Sequence, residues 1–535
     1  MLTIFVVVPV FIAVFLFVFS KNEGAKSIAI VFQSIFTIAT FWLVLITRET
    51  SIVTPVGGYD GVLGILLYAY DVSATFVFLT ALLFSAISIY SFRQANQRLF
   101  WCLLFLLEGS LVGLFLTRDL FNIFVMVEVS TVLVIILMMY NRDRRNMFTG
   151  MVYLMVNIVA MQLYLLGLAY IYLIGGGFDI FHLEGVLANV DQANLVLPYA
   201  LVMTGLAFKA GIIPFISVVP KARLYPGAPT GVVAILSGIQ VKTAVYVFMR
   251  LQTMFGDTAH YNFFLIIGIA TGLTGVIMAI AQTDAKMVLA YHTVSQVGLI
   301  TIGLSALDNY AMIGGLYHIV AHGTFKSTLF LTAGILRHSY GTLDVYAIRG
   351  VLKRMPLVGL AMGFAILGIM GAPFFIGSIS KYYLGYTVDP WIAWSINIIS
   401  LGTIISFIKY GSMLFGEDSG LKGQFPQADI WRSAPSLLMG GLCLAGGLFG
   451  AQFINFLFSS TIAADNLSIT VAPWTSPDKL LTFFGSVVVG LFIYKYVVKG
   501  NKALKKLGEM DIGFKPIVAC TIAFVGILLL VAGVW

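Results

Sequence analysis

The chain has 535 residues, 60% hydrophobic and only 10% charged, with a formal net charge of +8 and a mean hydropathy of +0.99. This composition excludes a soluble globular protein and points to an all-α polytopic membrane protein. The positive balance then reflects loops anchored at a membrane surface, and no nucleic-acid partner is expected.

Apolar windows of about 20 residues, the length a bilayer requires, tile the sequence. They fall near 1–20, 27–46, 63–91, 98–117, 119–140, 148–175, 196–219, 228–252, 261–281, 287–306, 309–336, 357–388, 391–415, 433–457, 477–498 and 515–535. The opening MLTIFVVVPVFIAVFLFVFS lacks a basic leader and a small-residue cleavage site, so it reads as the first span. Connections after odd-numbered windows hold 22 of the 31 Lys and Arg residues, whereas even-numbered connections hold only Arg48, Arg118 and Lys479. This asymmetry puts the odd connections in the cytoplasm and both termini outside, in a multi-pass protein of the cell membrane. The acidic stretch 175–194 is then external, suited to capping the bundle or meeting a partner. The basic linker 499–515 is either an interfacial helix or, the preferred reading, an ordinary charged loop. Cys102, Cys443 and Cys520 lie far apart in apolar segments, with neither metal nor disulfide spacing.

The charges inside the windows carry the functional signal. Glu108 and Lys409 are auxiliary path residues or peripheral anchors, with both readings open, while Arg118 and Asp119 terminate helices. Glu128 lies mid-span in NIFVMVEVSTVLVIILMMY, so its carboxyl must be neutral or paired with a cation. Lys209 is the natural partner. It sits within LVLPYALVMTGLAFKAGIIPFISV, where a lysine costs ~2.5–3.5 kcal/mol even on the lenient insertion scale. Pro214 breaks the same span, and membranes tolerate such a break only where the freed groups face protein or water. An ion pair that opens and closes makes a gate; a static bridge fixing helix register is the alternative. Lys242 is too deep to reach a headgroup. His292, near the cytoplasmic end of its span, can admit protons, with Ser295 and Gln296 holding water nearby. His318, His322 and Lys326 follow at steps of four, which places them on one helix face as a candidate proton wire. No cysteine or carboxylate joins them at ligand spacing, so no metal is expected. LGIMGAPFFIGSISKYYLGY repeats the break-and-charge arrangement with Gly371, Pro373 and Gly377 before Lys381. Pro214 and Pro373 lie five spans apart, which predicts two five-span repeats, the second inverted. The expected division is 1–97, three N-terminal helices; 98–252 and 253–415, the two repeats; and 416–535, C-terminal helices with the basic linker.

These segments resemble a known family. EVSTVLV around Glu128, AFKAGIIPF around Lys209 and APTGVVAILSGIQVKTAVYVFMR around Lys242 are similar to motifs of the antiporter-like subunits of complex I and of Mrp-type antiporters. DAKMVLAYHTVSQVG and HIVAHGTFKSTLFLTAG match the next two signatures, so the resemblance covers roughly residues 60–415. It implies a fourteen-helix bundle with inverted repeats, broken helices 7 and 12, and a lateral row of charges conducting protons at mid-membrane. It makes Glu128 and Lys209 the coupling pair, Lys242 the bridge, His318, His322 and Lys326 the central relay, and Lys381 the terminal lysine. Lysine at 381 resembles the D type of Mrp antiporter subunits and some complex I members, others of which have glutamate there, and YHTVSQVG with His292 looks closer to the Mrp type. Met287 stands where a basic residue is usual, and two C-terminal spans exceed the family pattern.

The expected function is proton conduction within a multi-subunit membrane complex, with exchange for sodium left open. A subunit of a redox-driven complex (membrane-bound hydrogenase, sulfane reductase or complex I) is the alternative. The chain has no flavin, haem or iron–sulfur signature and no catalytic chemistry of its own, so any redox cofactor would sit on a partner.

Overall fold

A computed structural model describes residues 1–19, 22–59, 64–93, 97–140, 144–218, 228–417, 429–465, 467–470, 476–510 and 514–534. The basic connections at 141–143, 219–227 and 418–428 lie outside the described residues. Among the described residues, 12 helices are long and apolar enough to cross a membrane, or 13 if one pair bent by 95° is a single span. The helices run as α1 (Thr3–Phe19), α2 (Asn22–Thr47), α3 (Asp71–Ser91), α4 (Arg98–Leu116), α5 (Leu120–Met138), α6 (Arg144–Gly175), α7 (Ile180–Leu187) and α8 (Gln192–Ala210). Next come α9 (Thr230–Phe255), α10 (Tyr261–Ala281), α11 (Ala285–Ser305), α12 (Asn309–Tyr340), α13 (Pro356–Met370), α14 (Ile376–Leu384) and α15 (Pro390–Gly411). The C-terminal set is α16 (Ile430–Leu448), α17 (Gly450–Leu457), α18 (Pro477–Val498), α19 (Lys502–Gly508) and α20 (Phe514–Val534).

Every one of the sixteen windows contains helix. Two contain only helices shorter than a full span, namely α1 and α13 with α14; α20 counts as short only over Val518–Gly533, and α16 with α17 is the bent pair. The third window is corrected at its start. Leu66–Ala69 is a strand (β2) that pairs antiparallel with Ile52–Pro55 (β1), and the helix begins only at Asp71. Hydropathy alone cannot separate a short apolar strand from the helix that follows it. The linker preferred as a loop contains α19, whose N-terminus is capped by Asn501 Oδ1 accepting from Ala503 N at 2.9 Å.

The chain order shows a recurrence. Asp119 pairs with Asp179 in an isolated antiparallel bridge, and Asp284 pairs with Asp344 in another at the same sequence offset. The 32-residue helices α6 and α12 share that offset at both ends. Asp119 caps α5 by accepting from Asn122 N, and Asp284 caps α11 by accepting from Met287 N. The C-terminal extension packs across these units: α18 on α15, and α20 on α8. The ring of Phe524 of α20 meets Phe215, just past the break after α8, edge to face at 5.1 Å, and lies 5.7 Å from Phe263 of α10. Outward faces of α1, α6 and α20 expose Ile, Phe, Leu and Val, as a lipid-facing surface requires.

Candidate ion-translocation site

The first break sets the site. α8 ends at Gly211, which adopts the left-handed conformation (φ +70°), and the chain then turns through Pro214. Lys209, two residues before that glycine, is buried. Its Nζ donates to Glu128 Oε1 at 3.0 Å and to Thr131 Oγ1 at 2.8 Å, both on α5. The pairing is asymmetric in exposure: the lysine side chain is 7% exposed and the carboxylate 22%. Glu128 thus opens toward the flank of the bundle, beside exposed Val129 and Val132.

From this pair a line of polar contacts runs inward. Ser130, next to Thr131, accepts from Gln240 Nε2 at 3.0 Å. Gln240 closes a π-turn, Leu236–Gln240, inside α9. A π-turn adds a residue to the helix and frees carbonyls, a distortion found often at functional sites. Lys242 uses one of them: its Nζ donates to the carbonyl of Ser237, and it also contacts His322 Nδ1 on α12. Ser237 Oγ in turn bonds Thr293 Oγ1 on α11 at 2.7 Å.

The His318–His322–Lys326 stripe is fully buried, but its members turn to different neighbours rather than to one another. His322 meets Lys242. His318 contacts Ser380 Oγ of α14 at 2.9 Å and Gln296 Oε1 of α11 at 3.0 Å. Lys326 Nζ donates to the carbonyl of Leu289 on α11 at 2.6 Å. A step of four residues leaves about 6 Å of rise between side chains, so this face does not form a wire of direct contacts. Several buried atoms around it, namely His322 Nε2, Gln296 Nε2, Gln240 Oε1, Ser327 Oγ and both ring nitrogens of His292, have no hydrogen-bond partner among the described residues. Buried polar atoms are paired in the great majority of cases, so these are the positions where water would complete the relay.

At the far end α13 stops at Gly371 (φ +78°), Pro373 follows, and α14 carries Lys381. Lys381 Nζ donates to the carbonyl of Ile369 at 3.0 Å. The ammonium therefore sits at the C-terminal, electronegative end of the half-helix before the break.

The remaining candidates sort by geometry. His292 is fully buried, 4.7 Å from the ring of Phe407 on α15. Gln296 does bind within the site, through His318, but Ser295 is spent on the carbonyl of Gly272 at 2.9 Å and ties α11 to α10. Lys409 donates to the carbonyls of Ala279, Ile280 and Gln282 at the end of α10, which makes it a helix cap. Glu108 faces α2, away from the contacts traced above, and accepts from Gln33. Arg118 pairs with Asp179 at 2.5 Å. Sequence reasoning missed Thr131, Ser130, Gln240, Ser237, Thr293 and Ser380. The available signal was their position one to five residues from a buried charge on the same span.

Fold and site together define a polytopic helical membrane protein whose two broken spans carry ammonium groups at either end of a row of buried polar side chains. The chain belongs to the family described as NADH:quinone oxidoreductase/Mrp antiporter, transmembrane, whose profile matches residues 117–407. It is 28% identical over 391 residues to the D subunit of the Na(+)/H(+) antiporter of Alkalihalophilus pseudofirmus, covering 71% of this chain and 78% of that protein. Its fold is that of a chain in the Mrp complex from Dietzia sp., with TM-score 0.81 and 24% identity, covering 86% of this chain and 96% of that one. A chain of the membrane-bound sulfane sulfur reductase, an archaeal respiratory membrane complex, matches with TM-score 0.80 and 22% identity, covering 91% of this chain and 99% of that one.

Proposed function

We propose that this chain is the proton-conducting subunit of an Mrp-type cation/proton antiporter in the cell membrane, with both termini external. The observation that carries the reading is the Glu128–Lys209 pair beside the break at Gly211, with the separate Ser130–Gln240 and Lys242–His322 contacts lying further in. While Glu128 and Thr131 hold Lys209, its ammonium keeps its proton. Movement of α5 against the arm that carries Lys209 separates the pair and leaves the ammonium without its counter-charge, which favours release of the proton inward. His322 can accept from Lys242 on one ring nitrogen and pass a proton on from the other, and His318 hands on through Ser380 toward Lys381. The part-exposed carboxylate of Glu128 suits a face covered by another subunit, because lipid would not tolerate it at mid-membrane. Sodium as the exchanged cation rests on the name of the relative from Alkalihalophilus pseudofirmus.

The coverage of the structural matches favours a second reading, a subunit of a redox-driven complex with its cofactors on partners. The sulfane reductase chain matches over more of this chain than the Mrp chain does.

The test is cation-driven pH change in vesicles carrying the assembled complex. Lys209→Ala and Glu128→Ala are expected to abolish it while assembly persists. Unimpaired transport in both variants overturns the proposal. Copurification of redox subunits selects the second reading.

A further inference from the structure

The N-terminal helices hold a buried carboxyl that the translocation path does not use. Glu108 on α4 is 0% exposed and Gln33 on α2 is 1% exposed. Gln33 Nε2 donates to Glu108 Oε1 at 2.8 Å and to the carbonyl of Ala81 on α3 at 3.1 Å, so both amide hydrogens are used. Two oxygens remain without a donor among the described residues, Glu108 Oε2 and Gln33 Oε1. Among the described residues no lysine, arginine or histidine forms a salt bridge to Glu108. An ionised carboxylate in this position would be an unpaired charge in a dry site, which costs several kcal/mol.

One proton removes both deficits. Placed on Glu108 Oε2, it makes an O–H that donates to Gln33 Oε1, while the amide N–H already donates to Glu108 Oε1. The acid and the amide then form a ring of two reciprocal hydrogen bonds with no net charge. A metal cation fits less well, since hard cations take more oxygen ligands than the two left open here. Helix α1 packs tightly on α4 at the next residue: a Cβ added to Gly109 would lie 2.9 Å from Val10 Cγ2 and 3.1 Å from the carbonyl of Val6.

Position gives this carboxyl significance. Glu108 and Glu128 lie equally many residues before and after Arg118, on the antiparallel neighbours α4 and α5. At equal helical rise they share one depth in the membrane. Two further buried atoms without partners, Ser88 Oγ on α3 and Trp101 Nε1 on α4, lie about two helical turns from Ala81 and Glu108. Both are displaced toward the end of the bundle that carries Arg93 and Arg98.

We propose that Glu108 and Gln33 form a second proton-binding site, outside the Glu128–Lys381 line, in which Glu108 holds the proton and Gln33 positions it. Protons exchange with the Arg93–Arg98 end past Ser88 and Trp101. This goes beyond the transport proposal and does not depend on it.

The experiment is infrared difference spectroscopy of the protein, purified with its partners and reconstituted, between neutral and strongly alkaline pH. A protonated-carboxyl C=O band sensitive to D2O is expected, lost in Glu108→Gln and moved to higher frequency in Gln33→Leu, where the acceptor of its O–H is gone. Glu128→Gln and Lys209→Ala are expected to leave this band in place even as they stop transport, which separates the two proposals. A band unchanged in both Glu108→Gln and Gln33→Leu overturns the site. So does its loss on adding Na+ at fixed pH, which would mark a cation site. Should Glu108→Gln fail to assemble, the displacement in Gln33→Leu decides alone.

Discussion

Arg250 and Lys409 do the same work at matching places. Arg250 Nη1 donates to the carbonyl of Thr117, the residue that ends α4, at 2.7 Å. Lys409 Nζ donates to the carbonyl of Gln282, the residue that ends α10, at 2.6 Å. Thr117 and Gln282 stand at the same offset as the Asp119–Asp179 and Asp284–Asp344 bridges. Each cation therefore closes the C-terminal carbonyls of one helix from another, Arg250 of α9 on α4 and Lys409 of α15 on α10.

This pairing makes Lys409 a stability residue. Lys409→Met leaves three carbonyls short of their donor and is expected to cost about 1–3 kcal/mol, the usual penalty of an unsatisfied buried group. Thermal unfolding in detergent checks this, with Lys409→Arg expected to recover most of the loss. Transport per folded molecule should change little; its abolition at wild-type stability would return Lys409 to the path.

Removing one partner of the Glu128–Lys209 pair should hurt more than removing both. A buried ion pair that loses one member is destabilised by about 3–5 kcal/mol, with a discount here because Glu128 is partly exposed. Glu128→Gln combined with Lys209→Met is expected to be more stable than Lys209-retaining Glu128→Gln, yet equally inactive. Thermal stability and cation-driven pH change, measured on the same preparations, decide.

Lys242 and His322 share one contact, so their effects on transport should not add. Lys242→Ala, His322→Ala and the double variant are expected to give similar residual rates, as residues acting as a unit do. Multiplicative losses in initial proton flux would show that the two act independently.

The second break depends on a backbone that only glycine adopts readily. Gly371 has φ +78°, and an added Cβ would lie 3.2 Å from Lys381 Cδ. Gly371→Ala is expected to cost about 1–2 kcal/mol in the left-handed conformation and to displace the ammonium, lowering flux while assembly persists. Flux equal to wild type would show that the placement of Lys381 is not critical.

Much of this was readable in the chain itself. Glu128, Lys209, Lys242 and Lys381 announce themselves because an ionised group in an apolar window is rare, and the breaks announce themselves through Pro214 and Pro373. The hydroxyl and amide contacts did not, because Ser130, Thr131 and Gln240 are ordinary helix residues until a neighbouring span brings a charge to them. The divergence of His318, His322 and Lys326 to three neighbours was equally hidden, since spacing fixes a helix face but not what packs against each part of it. Lys409 stood open between path and anchor. A lone lysine in a span looks functional by default, and only the tertiary arrangement reveals a helix end as its target. The strand Leu66–Ala69 was absorbed into a span because its apolar character is indistinguishable from that of the helix after it.

The two breaks carry their lysines on opposite arms. Lys209 belongs to the long arm, before Gly211, whereas Lys381 rides the nine-residue arm after Gly371 and leans back onto the arm it has left. A flexing joint would treat them differently. At the first, the ammonium is a fixed post that its counter-charge approaches or leaves. At the second, it is the tip of a short lever, held down by the dipole of its own stem. Two hinges of similar build thus give one stationary electrode and one movable contact, an asymmetry that can set the sense in which charge passes between them.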